Sequence, residues 1–274
     1  MASSGSGYDL SSSTFSPDGR IFQVEYAAKA VENAGSALGL KCRDGVVLCV
    51  EKPIPNKMLL PNSSRRIHTV DTHSGVAVTG FVSDGRQVIN RAREEAANYF
   101  ETYGSKIPPT VLADRMGSYV HYFTLHGSLR PFGATSLLAS YDPETNDASL
   151  HMIEPSGVSH SYFGCAAGKG RQPAKTEMEK LALHKPAAEE NITVREGIRQ
   201  LARMVHAFHD DGKDKPFELE MSWLCEESGW EHRGVPRDII SEAVEWAKKD
   251  IEEAEEGDED SDDDDDEDGG DMEE

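Results

Sequence analysis

Short apolar runs in this chain come in sets, and pairs of helical periodicities separate the sets. That order restricts the fold more than composition does. Ala37-Leu38-Gly39-Leu40 and Val46-Val47-Leu48-Cys49-Val50 flank Asp44-Gly45, the strongest local hairpin signal in the sequence. Residues 51–66 hold three prolines and Asn62-Ser63-Ser64 and read as a loop; 67–70 and 75–82 resume strand patterning around a turn. Val88, Ile89, Ala92, Ala96 and Tyr99-Phe100 predict a helix over 84–103 closed by Gly104, and Pro108-Pro109 opens another with Val111, Leu112, Met116, Tyr119, Val120 and Phe123 inside. Strands follow over 134–141, 148–153 and 158–163, then helices over 171–184 and 193–209, a strand over 218–224 and a last helix from Pro236 to about Glu255. This order predicts two antiparallel sheets packed face to face with helices outside, a four-layer α+β body without an internal linker.

Ahead of it, Ser16-Pro17-Asp18-Gly19 reads as a helix start, with Pro17 at a first helical position and Ser16 or Asp18 as cap. Phe22, Tyr26, Ala27, Ala30 and Val31 form one apolar stripe and Gly35 is a C-cap candidate, which predicts a helix over about 18–34. Residues 1–13 are mostly Ser, Gly and Ala around a Tyr8-Asp9 pair. They read either as a frayed terminus or as a mobile arm that docks through those two side chains.

The net charge of −22 over 274 residues is unevenly placed. Residues 252–274 hold 17 acidic residues and no basic one, leaving a body with 33 acidic against 28 basic residues. Self-repulsion and Gly257, Gly269 and Gly270 predict a disordered tail. Cys42, Cys49, Cys165 and Cys225 lack Cys-x-x-Cys spacing, and the start has neither a basic nor an apolar signal region, so a reduced intracellular setting is expected. No apolar run approaches the roughly 20 residues of a membrane span. The sequons at Asn62 and Asn191 then carry no meaning.

Other chemistries are weakly signalled. Gly164-Cys165-Ala166-Ala167-Gly168-Lys169-Gly170 resembles a phosphate loop but is one residue short between its glycines and has Gly170 in place of the metal-binding hydroxyl; a strand-to-helix turn is the better reading. His206 and His209 lie three apart on a helix without a Cys or His cluster and read as packing residues, so neither metal nor cofactor is expected. No Gly-x-Ser-x-Gly run is present.

Tyr8-Asp9, Phe15-Ser16-Pro17-Asp18-Gly19-Arg20 and Gln23-Val24-Glu25-Tyr26-Ala27 together resemble the N-terminal signature of proteasome alpha subunits, and the similarity runs to about residue 250. Leu10, where the family often has Arg, and the acidic tail resemble one particular member of the eukaryotic ring. The resemblance implies the αββα sandwich of N-terminal nucleophile hydrolases with an added front helix. It also implies a mobile gating arm at 1–16, a body at 17–251 and the tail at 252–274. By alignment of the hairpin, Gly35 stands at the nucleophile's place, and the orienting acid and lysine fall near Glu51 and Arg66; glycine has no side chain to attack with, so a non-catalytic subunit is expected. The resemblance further implies partners: six other alpha subunits in a ring, beta subunits beneath it, and activators whose C-terminal tails dock between alpha subunits, in cytoplasm and nucleus. Carried over residue by residue, Tyr8, Asp9, Pro17 and Tyr26 match the gate cluster, while Arg66 and Gly80 match the activator pocket. Ser261, within Asp-Glu-Asp-Ser-Asp-Asp-Asp-Asp-Asp, resembles an acid-directed kinase site. The rival reading is an acidic-tailed binding module or chaperone for basic proteins, which accounts for the tail and leaves the front unexplained.

Overall fold

The computed structural model describes residues 7–60, 63–183, 191–209 and 215–262. Within these, β1 (Ala37–Cys42) and β2 (Gly45–Pro53) pair antiparallel about the two-residue turn Arg43-Asp44, one residue ahead of the expected Asp44-Gly45, because Gly45 already pairs with Cys42. β3 (Ile67–Asp71) and β4 (Ser74–Gly80) form the second pair. Two helices follow, α2 (Val82–Tyr103) and α3 (Pro109–Tyr122). Gly104 ends α2 in the left-handed conformation at φ 69°, and Pro109 opens α3, where a missing N–H costs nothing. β5 (Ala134–Asp142), β6 (Asp147–Ile153), β7 (Ser159–Ser161) and β8 (Gly164–Ala167) come next, then α4 (Arg171–Lys180) and α5 (Val194–Phe208). Thr193 and Glu196 close a reciprocal capping box at the start of α5. β9 (Phe217–Cys225), β10 (Arg233–Gly234) and α6 (Arg237–Asp262) complete the described chain.

One sheet has the order β10-β9-β2-β1-β8 and the other β3-β4-β5-β6-β7, and neighbouring strands run antiparallel in both. A central apolar layer of Val46, Leu48, Val50, Leu137, Leu150 and Leu224 lies between the sheets. A second layer joins α2 and α3 to the β4-β5 sheet, and a third joins α4, α5 and α6 to the β1-β2 sheet. The body is therefore an α+β sandwich of four layers, as the spacing of runs predicts.

Several expectations shift. α1 spans Phe22–Glu32, because Ser16–Arg20 closes on itself: Ser16 N–H donates to Arg20 O at 2.9 Å, Gly19 N–H to Ser16 O at 2.9 Å, and Arg20 N–H to Ser16 Oγ at 3.1 Å. Pro17 thus shapes a turn and does not start the helix, and Asn33, not Gly35, is the C-cap. β4 stops at Gly80, and Val82, expected in that strand, begins α2. The stretch expected to be a bare turn supplies β8, which is held by its antiparallel pairing with β1. α4 ends at Lys180, short of the expected 184, a residue outside the described part. α6 continues past Glu255 and through Gly257 to Asp262. Ala243 and Ala247 are buried in the layer shared with α5 and supply the nucleus, so further turns add without a new nucleation cost; of the disorder expected over 252–274, residues 252–262 are helical instead, and 263–274 lie outside the described residues.

Side chains tie the two sheets together directly: Lys41 on β1 bridges to Asp147 on β6 at 2.8 Å at the surface, and a histidine does so from a buried position. His232, 7% exposed, has Nδ1 2.9 Å from Thr69 Oγ1 on β3 and Nε2 2.9 Å from Ser222 Oγ on β9, and its own N–H donates to Thr72 O at 2.7 Å. The ring occupies the space that a Cβ on Gly75 would need, only 2.1 Å away. Burial pushes the His232 pKa down to about 4, with Arg65 acting in the same sense. The folded state therefore favours the neutral ring: this contribution is full above the unfolded pKa of about 6.5 and is lost as pH falls from there through about 4. We expect wild-type stability in denaturant titrations to fall more steeply than that of His232→Gln between pH 6.5 and 4, by on the order of 3 kcal/mol over the window. Parallel curves would contradict the assignment.

Candidate functional site

The front of the chain, the first strand and the start of β3 carry the residues singled out from sequence. Beyond the Ser16–Arg20 turn, the Arg20 guanidinium forms a two-point ion pair with Glu25 and stands 5.3 Å over the Phe22 ring. Tyr26 is 52% exposed and stacks on Phe22 with ring centroids 6.3 Å apart, so it is not part of a buried stripe; Ala27 and Val31 are the buried residues of α1. Gln23 Nε2 donates to the Asp9 carbonyl oxygen, which brings that residue against α1. Tyr8 is exposed, and Pro17 is exposed in the turn. Among the described residues, no hydrogen bond joins the side chains of Tyr8, Asp9 and Tyr26 to one another.

Gly35 lies in a closed niche. A Cβ built on it would stand 2.5 Å from Glu51 O and 3.0 Å from Pro53 Cδ. Its carbonyl accepts from Thr79 Oγ1, linking it to β4. The Glu51 carboxylate accepts the Ser36 N–H at 3.0 Å through Oε2, while Oε1 lies 3.3 Å from His209 Nδ1. The glycine-rich run that resembles a phosphate loop wraps the same segment: Lys169 N–H donates to Ala34 O at 2.9 Å and Gly170 N–H to Ser36 Oγ at 3.0 Å. Gly168 turns at φ 98°, where a Cβ would be 2.6 Å from Gly35 O. These amides already serve the protein and do not form a cradle for phosphate. His206 and His209 pack their rings 5.0 and 4.4 Å from that of Phe217.

Arg66 and Gly80 fall near one another through strand register, since Val78 N–H donates to Arg66 O at 3.0 Å two residues before Gly80. Gly80 holds φ 103°, and a Cβ there would meet Gly133 O at 2.2 Å, so only glycine fits. Around Arg66 lies an ionic cluster that motif reading missed. Lys52, with a side chain 4% exposed, stands 3.2 Å from Glu218 and 3.7 Å from Glu220; Glu220 also accepts the Arg66 N–H at 2.8 Å and lies 3.7 Å from Arg65 Nε. Burying an ammonium requires such partners. Burial lowers the Arg66 pKa, with Glu220 opposing, yet an arginine stays charged near neutrality. The signal was the Glu218-Leu219-Glu220 alternation, which puts both carboxylates on one face of a strand beside β2, with Lys52 opposite Glu218. Ser261 lies within the final turns of α6, and its side chain falls outside the described residues.

Two family models match consecutive parts of the chain: the N-terminal signature of A-type proteasome subunits over residues 8–30 and the general proteasome subunit model over 31–224. An alpha type-3 proteasome subunit of Acanthamoeba castellanii is 55% identical over 251 residues, covering 92% of this chain and 96% of its own. The same-named protein of Spinacia oleracea is 54% identical over 92% of this chain and 98% of its own. A probable alpha type-7 proteasome subunit of Saccharomyces cerevisiae is 49% identical over 92% and 86%.

The niche at residue 35 yields a direct expectation. Gly35→Ala forces Glu51 O and the Pro53 ring to move and should cost about 1–3 kcal/mol, read as a Tm lower by roughly 2–4 °C for each kcal/mol. An unchanged Tm would show that the niche has room.

Proposed function

The chain belongs to the proteasome subunit family, with the N-terminal signature of the alpha type, and we propose that it is a non-catalytic structural and gating subunit of the outer alpha ring. The observation that carries the non-catalytic part is the closed niche at Gly35, which lacks a nucleophile and excludes even a methyl group without displacement of Glu51 O. Threonine-type chemistry needs a hydroxyl residue whose own amine is free, whereas here α1 precedes the strand and the Ala34 carbonyl is engaged by Lys169 N–H.

The ring contains six related alpha chains besides this one and has beta subunits beneath, works in cytoplasm and nucleus, and serves ubiquitin-dependent and ubiquitin-independent degradation. The front segment acts as one gate arm, presenting Tyr8 and Asp9 while Pro17 fixes the turn behind them and Tyr26 waits, exposed, on α1. Activator tails dock where Arg66 stands near Gly80, with the half-buried Arg66 guanidinium as the cation that meets a terminal carboxylate. Ser261 is a phosphorylation site that tunes the charge of the tail.

Native mass spectrometry of the tagged chain isolated from its own cells, with peptide hydrolysis followed in the same fraction, tests this reading. We expect a large particle containing six related chains, with threonine-type activity from other subunits; a monomer bound to basic proteins would favour the acidic binding module. Truncation before Glu252 should leave assembly intact. In the assembled particle, Arg66→Glu should weaken binding of an activator's C-terminal peptide roughly ten- to a hundredfold, the range of a lost charge-assisted hydrogen bond. Unchanged binding would remove Arg66 from the pocket.

A further inference from the structure

The contacts that hold the front segment are made by residues outside the group carried over for the gate, and we infer that Ser12 is the anchor of the arm, a positioning residue that seats it on the connection between α3 and β5. Ser12 is 2% exposed, although it lies in a polar, glycine-rich leader where a serine ordinarily faces water. Its Oγ is 2.8 Å from His126 O and 3.1 Å from Leu129 O, so one hydroxyl hydrogen is shared between two carbonyls far away in sequence. A second observation supports the socket. Ser11 and Ser13, their hydroxyls 2.9 Å apart, straddle Gly127, where a Cβ would stand 2.7 Å from Ser11 Oγ and 3.3 Å from Ser13 Oγ. Three consecutive serines thus fit one glycine and two carbonyls.

The receiving connection is itself tied down. Thr124 Oγ1 donates to His121 O at 2.7 Å, and Leu129 N–H to His126 O at 3.1 Å. Arg130 makes two bonds of 2.6 and 2.8 Å to the Asp84 carboxylate, which also accepts the Gly133 N–H at 2.9 Å. That pairing with Arg130, aided by the Gly133 amide, holds the Asp84 carboxyl below the usual carboxylate range, so the tie persists in mild acid. The socket therefore belongs to the body, and the arm is the part that moves relative to it. With Gln23 holding the Asp9 carbonyl from α1, the segment is pinned on two sides, and Ser12 fixes the position from which Tyr8 and Asp9 are presented. This last consequence rests on the gate reading above; the anchor itself does not.

The test uses the isolated full chain and limited chymotrypsin digestion. Leu10 and Phe15 are exposed and bracket Ser12, so cleavage after either requires the arm to leave its seat while the body stays folded. Ser12→Ala should speed both cleavages roughly three- to tenfold, the loss expected for one hydrogen bond. Ser12→Asp, which sets a carboxylate against two carbonyl oxygens, and Gly127→Ala, which attacks the seat from the other side, should do at least as much, with Tm unchanged. Unaltered cleavage in Ser12→Asp and Gly127→Ala would overturn the anchor, as would cleavage at sites in the body rising in parallel. Failure of the chain to enter a ring would sink the ring reading and leave these rates standing. Within an assembled particle, Ser12→Asp should raise basal peptide hydrolysis several-fold; a released arm with unchanged hydrolysis would sink the gate reading alone.

Discussion

Both sheets are covered on both faces, and the rest of the architecture follows from that. Strands β1, β2, β4 and β5 bury successive residues rather than alternate ones, so neither sheet has a polar face to offer to water. Each outer face must be closed by helices, which explains why helical segments arrive in pairs between sets of strands. Close packing of this kind also selects glycine where layers meet: a Cβ on Gly39 would stand 2.9 Å from Leu150 Cδ1 across the central layer. With both faces consumed, what remains for recognition is the perimeter, namely strand ends, connections and the segments before the first strand and after the last.

The front of the molecule is organised by that scarcity. α1 lays only Ala27 and Val31 into the body and leaves Phe22 and Tyr26 partly or largely in the open, a light attachment compared with α5 or α6. The self-closed Ser16–Arg20 turn separates this helix from the residues before it. The arm is consequently seated by a few directional bonds instead of by apolar area, which makes it displaceable at small cost in a way that the layers are not.

Legibility in the sequence follows the range of the interactions concerned. The first hairpin, the glycine end of α2 and the proline start of α3 are local devices, and they stand where their residues place them, except that the hairpin turn falls one residue early, on Arg43-Asp44, with Gly45 already paired to Cys42. The beginning of α1 departs from expectation because a helix-start pattern and a closed turn share the same four residues, and only the Ser16 to Arg20 hydrogen bonds distinguish them. β8 and β10 are too short to carry a pattern and exist through pairing with β1 and β9. Within the candidate site, the signature residues are readable as a run, yet the socket for Ser12 and the partners of Lys52 depend on register between segments over a hundred residues apart, which no local spacing encodes.

Apolar contact is non-directional, so a sandwich held by it alone resists separation of its sheets far better than it resists their sliding. His232 changes that mechanical balance. Its ring bonds to β3 on one side and β9 on the other and fills the notch left by Gly75, so a lateral slip of about an ångström breaks a hydrogen bond or drives the ring into backbone. It serves as a shear pin. The sheets are held to move as one block, and whatever compliance the molecule has is displaced outward to its ends.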